Sequence, residues 1–248
     1  MKGRIVLVTG GSRGIGAAIV RLLAASGDVV CFTWLRDQAA AATVSDELRA
    51  QGAVAHAIQG DVADPAFAAR AFDAAERLAG GPVAALVNNA GITGRHGPFA
   101  DLPLEIMRRT IDVNVVGTMT FAQEAVRRWR ACGVGGRMVN VSSGAATLGS
   151  PGEYVHYAAT KAAVDAFTIG LGKEVAGDGI RVNAVAPGTV YTDIHAAGGV
   201  PDRPARVVDR VPLRRIADPP EIAATVAWLL SDEASYVTGT VLRVAGGL

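Results

Sequence analysis

Apolar residues fall into seven short runs, separated by stretches in which they recur every three or four positions. The runs lie near 4–9, 29–34, 53–59, 83–88, 137–142, 180–186 and 240–244, and they lack the clean alternation of a strand with one wet face. Strands buried on both faces read this way, as in a parallel sheet covered by helices on each side. Helical spacing between the runs predicts helices near 15–26, 38–51, 65–79, 103–131, 156–176 and 219–231. The punctuation agrees. Asp64-Pro65 predicts an N-cap with a first-turn proline, and Asp218-Pro219-Pro220-Glu221 a cap with a carboxylate three residues on. Gly27, Gly52 and Gly80-Gly81 stand where helices should stop. The βαβαβ pattern runs twice in succession, with no linker and no short repeat. One α/β domain over 1–248 is expected, a doubly wound parallel sheet of about seven strands with helices on both faces. The irregular stretch at about 187–218 is long for a plain connection, which predicts a functional or mobile segment.

Half of the 248 residues are hydrophobic, and the mean hydropathy of +0.29 is high. The apolar residues are nevertheless broken by glycine, proline and charge, so no membrane span is expected. Met1 to Thr9 runs straight into a strand without a signal-peptide core, which makes a cytoplasmic location the expectation. A net charge of +1 gives no basic face for nucleic acid. The densest cluster, Arg127-Arg128-Trp129-Arg130, closes a helical pattern, where cations complement the helix dipole. Cys31 sits in an apolar strand and Cys132 far from it, neither with a neighbour at metal-ligand spacing, so no metal is expected. His56 reads as structural. His156 adjoins Tyr157 but points elsewhere on a helix, and His195 falls in the irregular segment, where substrate contact competes with packing.

Three patterns carry chemistry. Gly10-x-x-x-Gly14-x-Gly16 stands where the first strand hands over to the first helix. Glycine there permits a tight turn and lets backbone amides approach a pyrophosphate at a helix N-terminus. After the second strand comes Phe32-Thr33-Trp34-Leu35-Arg36-Asp37. A carboxylate at this point suits the ribose hydroxyls of NAD, and a cation the extra phosphate of NADP. Thr33 is uncharged, while Arg36 and Arg13 offer two guanidiniums to a phosphate. NADP(H) is therefore the expected preference. NAD(H) stays open through Asp37, one residue of register away. Finally, Tyr157 and Lys161 are four apart, on one face of a helix. A fixed cation near a phenol favours the phenolate and brings its pKa down from about 10 toward the working range.

With Thr9 to Gly16, Asn88-Asn89-Ala90-Gly91, Asn114, Ser142-Ser143 and Tyr157 to Lys161 in order, the chain resembles the short-chain dehydrogenase/reductase family over nearly its whole length. The resemblance implies a Rossmann-type fold and an oxidoreductase acting on a carbonyl or secondary alcohol. Tyr157 would be the acid/base and Lys161 its partner, also bonded to the nicotinamide ribose. Asn114 would hold a relay water near the lysine. Ser143 is favoured as the serine that polarises the substrate carbonyl, with a one-residue insertion in the Leu148–Tyr154 loop; Ser142 is the alternative. The cofactor would be held by Gly10, Ser12, Arg13, Gly14, Ile15 and Gly16, with Arg36, by Asp61 and Val62 at the adenine, and by Asn88, Ala90 and Gly91. Pro187, Gly188, Val190 and Thr192 would contact the nicotinamide carboxamide and diphosphate. The family also implies a homotetramer or homodimer built partly on the helices near 103–131 and 156–176. Rival readings are a non-catalytic NADP(H)-binding regulator and a dehydratase or epimerase on the same scaffold. Substrate choice lies in loops near 93–99, 144–154 and 189–215, which carry no periodic pattern.

Overall fold

The computed structural model describes residues 3–248. Among them the strands are β1 (Ile5–Val8), β2 (Val29–Trp34), β3 (Ala55–Gln59), β4 (Ala85–Asn88), β5 (Arg137–Val141), β6 (Arg181–Pro187) and β7 (Val241–Val244). They form one sheet in the order β3-β2-β1-β4-β5-β6-β7, with every neighbouring pair parallel. Each lies within two residues of its predicted run.

The sheet is buried on both faces, which is why its strands read as continuous apolar runs. Val6 and Val8 of β1 face one side, against Ile19 and Leu23 of α1 (Gly14–Ala25) and Ile222 and Val226 of α10 (Pro219–Leu230). Leu7 between them faces the other side, with Phe72 of α3 (Phe67–Ala79) and Phe121 and Trp129 of α5 (Thr118–Cys132). The Trp129 indole is buried, and its Nε1 donates to the carbonyl of Val83 at 2.7 Å. Its neighbour Arg128 pairs with Asp73, Glu76 and Glu124, each at 2.7 Å. The arginine cluster is thus built into the fold. Helices α2 (Gln38–Ala50) and α7 (Val155–Glu174) also match expectation. No described helix is long and apolar enough to cross a membrane.

Two expectations need correction. The predicted helix over 103–131 is divided into α4 (Leu104–Ile111), a π turn over Asp112–Gly117, and α5. The widened turn carries Asn114 inward, where it is fully buried. Apolar spacing passes through such a turn almost unchanged, so the pattern cannot reveal it. Asp64 does not cap α3 directly. Its Oδ1 accepts the amide of Ala66 at 3.0 Å and its Oδ2 pairs with Arg70, so it closes a turn just ahead of the helix. The cap of α10 is as expected, with the Glu221 carboxylate accepting the Asp218 amide at 2.9 Å. The 187–218 stretch contains two short helices, α8 (Ile194–Ala197) and α9 (Arg203–Val207); another, α6 (Ala145–Leu148), follows β5.

Candidate active site

Strand order reverses between β1 and β4, so the loops leaving their C-terminal ends diverge and open a crevice. The cleft there holds about 1200 Å³ and runs from the glycine turn and the end of β2 to α7 and the 187–218 segment.

The glycine turn is shaped by two close constraints. Gly10 has φ of +67°, in the region glycine favours, and its amide donates to Thr33 Oγ1 at 3.1 Å. At Gly16 a Cβ would lie 2.1 Å from the carbonyl oxygen of Gly10, so any other residue would push the turn apart. The helical ladder of α1 starts with Ala17 donating to Arg13. The amides of Gly14, Ile15 and Gly16 precede it, at the cleft wall, where they suit a pyrophosphate. Ser12 lines the same wall, and Thr192 packs beside Gly14.

At the end of β2, Thr33 is buried, while Arg13 and Arg36 are exposed along the cleft. Asp37 Oδ1 accepts the amide of Ala40 at 2.9 Å and so caps α2. The carboxylate that register alone left open is thereby engaged. On the opposite wall, Asp61 accepts two bonds from Arg109 Nη2, at 2.7 and 3.0 Å, and one from the Ala63 amide. Val62, Ala90 and Gly91 line the cleft beside it. The turn, the two exposed guanidiniums and this wall fit a dinucleotide.

Asn88 does not reach that wall. It is buried, donating to Asn140 Oδ1 at 2.9 Å and to the Thr118 carbonyl, and so bridges β4 to β5 inside the core. Asn89 takes its place at the turn, with Nδ2 donating to the carbonyls of Thr9 and Gly10 at 3.0 and 2.9 Å. Successive side chains at a strand end point to opposite sides, and the two were one position apart.

The reacting groups gather where β5 ends. Ser143 Oγ accepts the Ala145 amide at 3.1 Å and stands near enough to the Tyr157 phenol to favour its ionised form. Ser142 faces away, its hydroxyl donating to the Lys161 carbonyl at 3.3 Å and meeting the Asp165 carboxylate. Lys161 Nζ donates to the Val141 carbonyl at 2.7 Å and lies 5.8 Å from the Tyr157 ring centroid. Asn114 spends its side chain on structure. Its Oδ1 accepts the Ile92 amide, and its Nδ2 donates to the Ile92 carbonyl and Thr160 Oγ1, all near 2.9–3.0 Å.

Burial dominates the charges here. It pushes the Tyr157 phenol up to about 12, against the pull of Ser143 and Arg203. It brings the Lys161 ammonium down to about 8, with Asp165 opposing. Burial therefore outweighs the expected lowering of the phenol; Arg203 pulls it down, and the Lys161 ammonium lies 5.8 Å from its ring centroid. Beyond the serines, Pro187 and Gly188 end β6 at the cleft, with the Gly188 amide bonded to the Val244 carbonyl at 2.9 Å, and Val190 is buried. His195 is buried at the cleft wall, whereas His156 turns away to the Thr93 carbonyl at 2.8 Å. Sequence reasoning missed Asn89, Arg109, Glu153, Tyr154 and Arg203. Only Asn89 carried a signal, as part of the asparagine pair; Arg109 sits on α4 but meets Asp61 in a loop, and the others come together from segments without periodicity.

This crevice, glycine turn and serine–tyrosine–lysine group belong together in one class of protein, and comparison agrees. A family profile described as enoyl-(acyl carrier protein) reductase matches residues 10–248. The chain is 46% identical over 245 residues to an uncharacterized oxidoreductase of Escherichia coli, covering 98% of this chain and 99% of that one. It is 38% identical to an L-rhamnose 1-dehydrogenase (NAD(P)(+)) of Sphingomonas sp., over 100% of this chain and 97% of the other. A short-chain dehydrogenase from Burkholderia cenocepacia, solved in complex with NADP, superposes with a TM-score of 0.90 at 37% identity, covering 99% of this chain and 98% of that one. The chain belongs to the short-chain dehydrogenase/reductase family and is an oxidoreductase of alcohols and carbonyls.

Proposed function

We propose that the protein is an NADP(H)-dependent oxidoreductase interconverting a carbonyl compound and a secondary alcohol, with Tyr157 as its acid/base. The observation that carries this is the convergence of the Tyr157 phenol and Ser143 at the cleft wall, one helical turn from Lys161. The nicotinamide supplies or accepts the hydride when bound; the protein holds the substrate oxygen and manages its proton. Tyr157 gives or takes that proton. Ser143 donates to the oxygen where negative charge develops. Lys161, set against the end of β5, supplies a cation and donors to the cofactor ribose. Arg13 and Arg36 favour the phosphate of NADP(H), and the NADP complex of the Burkholderia relative supports the same choice. Asn114 organises this floor through Ile92 and Thr160. A regulator that only senses the cofactor has no use for a tyrosine, serine and lysine brought together in this way.

The reading extends to assembly as a homotetramer or homodimer. Ile111, Val116 and Met119 along α4–α5 and Ile169 on α7 are exposed apolar residues, on the helices expected to pair.

The test is a panel of ketones, sugars and acyl thioesters assayed with both cofactors, on wild type and Tyr157→Phe. The variant should bind cofactor normally and lose turnover by at least about 10²-fold. Undiminished turnover removes Tyr157 from the mechanism. Cofactor binding without turnover of any carbonyl favours the regulator.

A further inference from the structure

Arg203 opens α9, within the 187–218 segment, yet its side chain is only 12% exposed. Nε and Nη2 donate to Glu153 Oε2 at 3.0 and 2.8 Å, and Nη1 donates to Thr189 Oγ1 at 3.3 Å. The guanidinium carbon lies 5.1 Å from the Tyr154 ring centroid. That ring meets the Tyr157 ring edge to face, with centroids 5.3 Å apart, and His96 closes on its other side at 4.4 Å. Edge-to-face contacts fix ring orientation, and a cation over a ring adds attraction. A continuous stack therefore joins a loop-borne cation to the residue read above as the acid/base.

The ionisable groups around Tyr157 are few. Lys161 stands 5.8 Å from its ring centroid, Tyr154 packs against it, and Glu153 lies behind Arg203. Burial takes His96 down to about 4 and also lowers His195. Lys161 turns its ammonium to the Val141 carbonyl. We propose that Arg203 is a positioning residue for Tyr157: clamped by Glu153, it seats the Tyr154 ring against the Tyr157 ring and supplies fixed positive charge on the substrate side. The proposal rests on the acid/base reading of Tyr157, and Glu153 sets how much of that charge is felt.

The chain has four tyrosines, so ring-carbon NMR of tyrosine-labelled protein resolves Tyr157, with Tyr157→Phe as the assignment. Arg203→Met removes the cation and leaves the Glu153 charge. Compared at a fixed pH of about 11, where the arginines stay charged, its Tyr157 should be several-fold less ionised than in the wild type, the equivalent of about one pH unit. Glu153→Gln leaves Arg203 uncompensated and should move the titration the opposite way, by about half a unit. Arg203→Lys keeps the charge without the fork and should fall between wild type and Arg203→Met. Shifts of the same sign in Arg203→Met and Glu153→Gln, or none, mean a clamp that is only structural and overturn the proposal. Should Arg203→Met fail to fold, Glu153→Gln and Arg203→Lys decide: an unmoved titration in both overturns it. The titration needs no substrate, so its outcome is separate from the turnover of Tyr157→Phe. Opposite shifts in an enzyme that does not need Tyr157 would discard the acid/base reading and keep the electrostatic one.

Discussion

Two adjacent serines should fail in different ways. Ser143 Oγ lines the cleft beside the Tyr157 phenol and accepts the Ala145 amide at 3.1 Å. Ser143→Ala removes the hydroxyl that can donate to the reacting oxygen, and loss of one such donor costs about 10²–10³-fold in turnover. Water can replace it at the half-buried Ala145 contact, so stability should change by less than about 1 kcal/mol. Ser142 is 3% exposed, donates to the Lys161 carbonyl and lies beside Asp165. Asp165 Oδ1 is already buried without a partner, so Ser142→Ala leaves the carboxylate poorer still. That change should cost about 1–3 kcal/mol of stability, and a chain of this size loses roughly 2–4 °C of Tm per kcal/mol. Its kcat should stay within about threefold of wild type, since the Ser142 hydroxyl is turned to the Lys161 carbonyl rather than to the Tyr157 phenol. Steady-state kinetics and thermal melts of both variants decide it. A larger fall in kcat for Ser142→Ala than for Ser143→Ala refutes the assignment.

Arg36→Ala should weaken NADP(H) binding by roughly ten- to hundred-fold, the size of one charge-assisted contact, and barely affect NAD(H). Salt should erode the wild-type preference, since the site is exposed; NAD(H) bound as tightly as NADP(H) by the wild type ends this prediction. Lys161 has its ammonium lowered by burial from 10.5 to about 8, so between those values the unfolded chain binds more protons and stability rises with pH. Lys161→Met should accordingly be more stable than wild type at neutral pH, on the order of a few kcal/mol, with the gain shrinking across that window. Turnover should be lost throughout, and denaturant melts at several pH values with parallel assays check both parts. Glutamate at Met119 and Ile169 should shift sedimentation toward a smaller species; an unchanged profile places any interface elsewhere.

The strands were legible because a sheet covered on both faces demands unbroken apolar runs, and the covering helices could be read between them for the complementary reason. The glycine turn was legible too, since steric limits at Gly10 and Gly16 leave so few residue choices. The confusion of Asn88 with Asn89 shows where this stops. A motif fixes neighbours in sequence, but the end of a strand decides which neighbour faces the crevice. The approach of Arg203 to Tyr154 was beyond reach, because it depends on two irregular segments closing on each other. The electrostatics were half legible: the tyrosine–lysine spacing was visible, but the depth of burial that pushes the phenol up was not.

The π turn over Asp112–Gly117 has an evolutionary consequence. Each α-helical residue advances the chain by roughly 100°, and the widened turn absorbs one residue beyond an ordinary helix while α5 keeps its face toward the sheet. Deleting one would restore an ordinary helix, which is locally favourable. It would leave Phe121 and Trp129 in the core but withdraw Asn114 from Ile92 and Thr160. Drift can therefore change the residues of this segment far more freely than their number. Descendants of this chain should differ in spelling at 112–117 while keeping its length.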